Sequence, residues 1–397
     1  MKSKSLLVRV GLFFSILVLG TAVAMAAGET TGLALADLSN TTVDTINDAD
    51  AGTLFATLDK TGIYRSDDAG YSWQRVSPGP SGEIVKTLAI HPLDRMTLYA
   101  GTVDENDRGS LWFSKDGGKI WAPFPLELPT NARNDAPIIN VVTIDATASN
   151  VLYLGTEGQG IYRVHIPTGQ AEQIGSDPLT EGLYVRDFDV SPNGQIYAIT
   201  TEGITVIEGA STRKIETIPD TPVSIAIDPV NPQRIYVGTV AYGAFVSDDG
   251  GQSWQELNAG FGWQPGVMLR VSAVTVDEDK PQHLAVATAY SVGSQLIGDG
   301  IYETFNAGQH WIKIAEHEDV VDQIVIQGGG IYVATTQGLV RYGNPLPATS
   351  LTSSLHFDSL ANPTAVQLLI LAITVAIAGW VLLGKVSGKS YQNQSAI

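Results

Sequence analysis

Between roughly residue 41 and residue 343 the chain alternates apolar with small or polar positions at period two, in short runs broken by glycine-containing turns. That is the signature of half-buried strands joined as hairpins. Seven paired runs stand out: "TLFATLDKTGIYRS", "TLYAGTVDENDRGSLWFS", "VLYLGTEGQGIYRV", "QIYAITTEGITVI", "RIYVGTVAYGAFVS", "LAVATAYSVGSQLIGDGIYET" and "GIYVATTQGLVRY". Each is preceded by a further strand-like run: "TTVDTIND", "VKTLAIHP", "INVVTIDA", "VRDFDVSP", "PVSIAIDP", "RVSAVTVD" and "VVDQIVIQ". The hairpins recur every roughly 40 to 55 residues, the period of four-stranded propeller blades. The pattern predicts an all-β, seven-bladed propeller over residues 28–343.

Four runs beginning at a tryptophan, "WQRVS", "WAPFP", "WQELN" and "WIKIA", supply outer strands, but the seventh hairpin passes directly into a linker. A blade lacking its outer strand would leave a sheet edge open. The segment "TTGLALADL", Thr30 to Leu38, precedes the first blade and is placed to fill that gap. We therefore expect the N-terminal strand to close the last blade.

One spelling recurs at the turn before the outer strand. It is complete in Ser66, Asp68, Gly70 and Trp73 and again in Ser247, Asp249, Gly251 and Trp254. In Ser114, Asp116, Gly118 and Trp121 an isoleucine replaces the hydroxyl residue, and in Thr304, Asn306, Gly308 and Trp311 the copy is further altered. A short Asp or Asn side chain accepts bonds from N–H groups of its own turn, glycine permits positive φ, and tryptophan supplies apolar bulk. The repeats resemble the Asp-box, or BNR, motif S-x-D-x-G-x-[ST]-W of sialidase-like and photosystem II assembly factor-like propellers. The resemblance implies a structural turn on the face opposite the ligand site, not a catalytic or calcium-binding one.

Both ends of the chain are apolar. Lys2, Lys4 and Arg9 followed by "VGLFFSILVLGTAVAMA" predict a signal peptide over residues 1–27, a retained anchor being the alternative. A Pro/Ser/Thr-rich linker over 344–363 leads to 364–384, "TAVQLLILAITVAIAGWVLLG", which is free of charge and as a helix spans about 31 Å. Lys385 and Lys389 follow, so residues 385–397 are expected to be a cytoplasmic tail and the propeller extracytoplasmic.

Five of the 23 basic residues lie in those flanks and all 41 acidic residues lie between them, leaving 18 − 41 = −23 for the part between. That balance disfavours nucleic acid and anionic lipid. The absence of cysteine excludes thiol catalysis, zinc–thiolate sites and disulfide scaffolds.

Candidate chemistry is sparse. "YRVHIP" lies in mid-propeller and departs from the F/Y-R-I-P stretch of sialidases, and the six histidines show no metal-ligand spacing. Asp187 and Asp189 are spaced to face one side of a strand, as a carboxylate pair or as polar channel residues. "DENDRG", Asp104 to Gly109, is a solvated turn or a calcium loop.

Four long connections, Val103 to Gly109, Ala122 to Pro137, Asn258 to Leu269 and Tyr290 to Asp299, fall on the face away from the boxes. In the third, "GFGWQPG" places Phe261 and Trp263 where no repeat position demands them, as an anchor for a partner or as side chains tucked against a neighbouring blade. No cofactor is expected. The sequence points to a membrane-tethered, non-catalytic scaffold or assembly factor with a protein partner at the membrane surface. The alternative is a cell-surface glycoside hydrolase or glycan-binding protein.

Overall fold

The computed structural model describes residues 33–34, 43–48, 52–58, 62–80, 83–126, 128, 136–145, 148–174, 184–208, 211–262, 266–292, 295–321 and 323–343. The expected signal peptide, linker, membrane span and tail all lie outside these residues, as does Trp263. Among the described residues no helix is long and apolar enough to cross a membrane.

The described strands form seven antiparallel sheets of four strands, each following chain order from the inside outward except the last. Blade 1 runs from Val43–Asp48 to Gln74–Ser77, blade 2 from Ile84–Ile90 to Ala122–Pro123 and blade 3 from Ile139–Ile144 to Gln170–Ile174. Blade 4 runs from Val185–Val190 to Ser211–Ile215, blade 5 from Pro222–Ile227 to Gln255–Glu256 and blade 6 from Met268–Val276 to Ile312–Glu316. Each inner strand packs on that of the next blade, and Gln323–Gln327 of blade 7 packs on Val43–Asp48 of blade 1, so the seven close into a ring. The outer strand of blade 7 is Leu33–Ala34, paired antiparallel with Arg341 and Val340. The N-terminal segment thus completes the last blade, as its position in the sequence led us to expect.

The second strand of each blade is buried, along its whole length in six and over Leu284 to Ala289 in blade 6, which accounts for its run of Leu, Ile, Val, Tyr and Ala. Six of these strands carry a threonine, the last residue in four of them, whose Oγ1 donates back across the hairpin. Thr156 donates to the Gly160 carbonyl at 2.7 Å, Thr239 to Gly243 at 2.9 Å and Thr335 to Gly338 at 2.7 Å. Thr102, Thr200 and Thr288 do the same at 3.2–3.3 Å. Most of the recurrent Gly-Thr and Ala-Thr pairs in the sequence are these clasps, which at Gly160 and Gly243 add a second donor to a carbonyl that already accepts from the same threonine's N–H, at 3.0 and 2.9 Å.

Six of the inner strands, all but that of blade 7, skip one residue of register. Such a bulge turns a side chain out of the sheet, and here the inner strands use their side chains to bond the neighbouring blade. The bulged Asn140 donates to the Val185 carbonyl at 3.0 Å, and the bulged Ser272 donates to the carbonyl of Val321. Next to the bulges, Thr87 accepts from the Val142 N–H at 3.2 Å and Ser224 donates to Val271 at 3.3 Å, and on blade 7, which has no bulge, Gln323 accepts from the Ile46 N–H at 2.7 Å.

Asp189 belongs to the same set. Its Oδ2 accepts from the Ile227 N–H of the next blade at 3.1 Å and its Oδ1 from its own neighbour Val190 at 2.8 Å. Burial pushes its carboxyl up to about 6 despite those two donors. The possible Asp187–Asp189 pair is therefore not two free acids, because Asp189 is spent on a blade seam.

Candidate functional site

The Asp boxes sit in the turns from third to fourth strand, and in each the first hydroxyl and the acid or amide bind the turn to itself. The Ser66 hydroxyl donates to Asp68 Oδ1 and accepts from the Gly70 N–H, both at 2.8 Å. Asp68 in turn accepts from the Ser72 N–H at 2.8 Å and from its hydroxyl at 2.5 Å. Asp249 repeats the arrangement with Gln252 N–H and Ser253 N–H at 2.9 Å and the Ser253 hydroxyl at 2.6 Å. The Ser253 hydroxyl and N–H, then Ser247, hold its carboxyl down to about 2.

In the second box Asp116 accepts from Ile120 N–H at 2.9 Å and Lys119 N–H at 3.0 Å, which lower its pKa although no hydroxyl follows. The altered fourth box keeps the geometry in neutral form. There Thr304 donates to Asn306 at 2.6 Å and Asn306 accepts from the His310 N–H at 3.1 Å. In each box the Oδ1 of the acid or amide is turned on the donors of its own turn, backbone N–H groups and the first hydroxyl, so the boxes are built as turns.

What the boxes hold together is the seam between blades. Trp73 lies in one cluster with Tyr332 and Leu339 of blade 7, and Trp121 packs with Phe55 and Ile63 of blade 1. Trp254 packs with Tyr197 of blade 4, and Trp311 with Tyr236 of blade 5. Each tryptophan therefore reaches back to the preceding blade. The tyrosine of that blade's second strand can reach forward in return, as when the Tyr332 hydroxyl donates to the Ala69 carbonyl at 2.5 Å. The box glycine is needed twice here. Gly70 has a φ of +76°, and a Cβ on it would lie 2.5 Å from Tyr332 Cε1.

The other candidates are placed as follows. In Asp104–Gly109 the Asp104 carboxylate closes its own loop, accepting from Asn106 N–H at 2.8 Å and Arg108 N–H at 3.0 Å and pairing with the Arg108 guanidinium at 2.7 Å. Among the described residues no group of three His, Asp or Glu is placed to hold a metal.

Phe261 is not an exposed anchor. It is 8% exposed, stacked on Trp311 at 5.4 Å and edge-on to Tyr302 at 5.0 Å. A Gly-rich loop here delivers a core side chain, because the ring finds its partners on blade 6, 41 and 50 residues later in the chain.

The described part of Tyr290 to Asp299, residues 290–292 and 295–299, is not a loop either. It is the end of a hairpin in which Leu284–Val292 and Gln295–Thr304 run for 9 and 10 residues, against 5 and 4 for the same strands of blade 5. At about 3.3 Å per residue this carries blade 6 roughly 10 Å or more above its neighbour.

At the base of this projection lies a polar knot that no sequence pattern announces. Asp299 Oδ2 accepts from Thr288 and from the Tyr302 hydroxyl, both at 2.8 Å, and Oδ1 pairs with Lys313 Nζ at 2.9 Å. Burial, then the bond to Asp299, pushes the Tyr302 hydroxyl up to about 12, so it stays a donor. The knot fixes the hairpin where it leaves the ring.

Exposed apolar side chains lie on both faces of the ring, Leu93, Ile120, Val230 and Phe305 on the box side and a second set on this one. Tyr242 and Met268 are 54% and 56% exposed, Leu296 and Ile297 38% and 43%. Tyr242 bridges to Leu269, Met268 lies opposite Ser291 and Ser291 opposite Leu296, so Met268 and Leu296 share one side of the blade 6 sheet, while Ile297, opposite Tyr290, points to the other. A cavity of about 950 Å³ elsewhere, on the outer strands of blades 2 and 3, is lined by Arg163, His165 and Glu172 among others. It brings one carboxylate, where glycoside hydrolysis ordinarily uses two.

The model of the BNR/Asp-box repeat matches residues 245–256, the third strand of blade 5 and the box that follows it. The chain is a β-propeller carrying BNR/Asp-box repeats. Solved BNR propellers of the same fold include YCF48 bound to D1 peptide, at 15% identity and a TM-score of 0.57 over 79% of this chain and 97% of that one. They also include an ancestral GH74 enzyme, at 17% identity and a TM-score of 0.58 over 79% of this chain and 46% of the enzyme. At these identities the likeness shows the fold alone. A stretch of 116 residues of the BNR propeller is 31% identical to vacuolar protein sorting/targeting protein 10 of Verticillium alfalfae, covering 29% of this chain and 7% of that protein. The chain thus spans a small fraction of the length of that relative.

Proposed function

We propose that this BNR propeller is a non-catalytic, extracytoplasmic scaffold, tethered through residues 364–384, that binds a protein partner on the face opposite its Asp boxes. The observation that carries the reading is the projecting hairpin of blade 6, which exposes Leu296, in one row with Met268, on one side and Ile297 on the other, with Tyr242 of blade 5 exposed at its foot. Large side chains that stay in water at a raised and braced site are what a partner would desolvate. The box acids are committed to their own turns, which leaves that face to structure. A propeller of this fold holds a peptide in the YCF48–D1 peptide structure, so the scaffold suits such a role.

A photo-crosslinking residue at position 242, compared with one at the box-face position 120, tests the reading in intact membranes. We expect protein adducts from position 242 and none from position 120. Adducts from position 120 alone, or turnover of glycosides by the purified chain, would overturn it.

A further inference from the structure

The projecting hairpin of blade 6 has an open side. The outer strand Ile312–Glu316 pairs with Gly300 to Glu303, and beyond it only the Gly298 N–H, donating to Glu318 at 3.0 Å, and the Asp299 carbonyl, accepting from His317 at 3.3 Å, are engaged. Gln295, Leu296 and Ile297 pair inward with Val292, Ser291 and Tyr290. Among the described residues no strand pairs with their outward side. The same three residues present Leu296 and Ile297 to solvent on opposite faces of the sheet, since they lie in adjacent positions of one strand. An edge with these properties is a template for another extended chain.

Charge says which kind of chain. The segment that runs beside the open edge is Glu316-His317-Glu318-Asp319, and the bond from Gly298 to Glu318 fixes it there. Burial lowers the His317 pKa, so that ring adds no positive charge at neutral pH. Lys313 is already paired with Asp299 at 2.9 Å and Glu316 at 2.7 Å. The edge is therefore apolar at its strand and acidic at its flank.

We propose that Gln295–Ile297 adds one strand from a partner protein, an extended segment alternating apolar with lysine or arginine side chains. The proposal rests on the protein-binding reading above and names the chemistry of its partner. Backbone hydrogen bonds to the edge would set the register, Leu296 and Ile297 would receive the apolar side chains, and Glu318 and Asp319 would steer the basic ones.

The test uses the purified full chain and a labelled, capped heptapeptide of alternating lysine and valine, read by fluorescence anisotropy. Its glutamate–valine counterpart and a version N-methylated at alternate residues are the comparisons. We expect both comparisons to bind at least tenfold more weakly. Leu296→Lys and Ile297→Lys should each weaken the basic peptide at least tenfold with an unchanged melting temperature. Hydrogen exchange on the unaltered protein needs no substitution, and should show the amides around 295–297 slowed by the basic peptide.

Equal binding of the two charge types, indifference to N-methylation, or exchange protection elsewhere would each overturn the proposal. So would an edge-paired dimer of this chain that the lysine substitutions abolish. If the peptide fails while position 242 still captures a protein, strand addition is wrong and the protein-binding reading stands.

Discussion

The claim that Asp boxes are seam devices can be tested at two glycines with nearly the same backbone. Gly70 in the first box and Gly158 in a hairpin turn of blade 3 have φ of +76° and +82°. An alanine at either meets the same left-handed penalty, on the order of 1–2 kcal/mol. They differ in surroundings. At Gly158 an added Cβ meets nothing within 4 Å, while at Gly70 it meets Tyr332 Cε1 at 2.5 Å. Tyr332 is fully buried, with its hydroxyl donating to the Ala69 carbonyl, so it has no room to retreat. Overpacking of such a site adds about 1–3 kcal/mol.

Gly158→Ala should therefore cost about 1–2 kcal/mol and Gly70→Ala about 2–5. For a propeller of this length that is a difference of several degrees in melting temperature, at about 2 °C per kcal/mol. Thermal melts followed by tryptophan fluorescence would resolve it. Equal melting of the two variants would refute the idea that the box glycine is there for the neighbouring blade.

Four further outcomes are expected. Phe261→Ala should destabilise the fold by about 3–5 kcal/mol in chemical denaturation, because it leaves a void against Trp311 and Tyr302, while partner binding by the folded fraction is retained. Asp249→Asn should matter above pH 3.8 and progressively less toward pH 2. The carboxyl's folded value of about 2 lies below its ordinary 3.8, so its stabilisation is full above the higher value and lost as pH falls through the lower; melting of the two proteins across that range should converge. Deleting residues 30–38 should lower the melting temperature of the whole ring, since blade 7 loses the strand that pairs with Val340 and Arg341. A chain ending at Asn362 should be recovered in the soluble fraction after export and the full chain with carbonate-washed membranes; recovery of the full chain as soluble protein would remove the tether.

The blades were legible because their information is local. Period-two alternation and repeated turns mark each sheet, and the box tryptophans are spaced so regularly that their structural part can be inferred without coordinates. Phe261 was misleading for the opposite reason: its neighbours in sequence are glycines, while the side chains that bury it, Tyr302 and Trp311, come from the next blade. The hairpin of blade 6 reads as a loop because Gly293, Gly298 and Gly300 interrupt its alternation, and the register slip at Asp299 resets its phase. Asp189 looks like a free acid on a channel strand until the Ile227 N–H of the next blade is placed against it. Such pairings across a seam depend on how blades are rotated about the ring, which no single blade's sequence specifies.

The clasp between Leu33 and Arg341 joins positions 341 − 33 = 308 residues apart. At about 5–20 residues per second of synthesis, the first strand waits on the order of 15–60 s for its partner to exist. During that interval six blades can form by local pairing, but the circle stays unlatched, with the free N-terminal segment at one end and the edge of a growing sheet at the other. A molecule that emerges beside another copy has a competing solution, in which each lends its first strand to the other's last blade. The arrangement that seals the finished ring thus makes its own assembly sensitive to the local concentration of nascent copies, and dilution would favour a monomer over an exchanged pair.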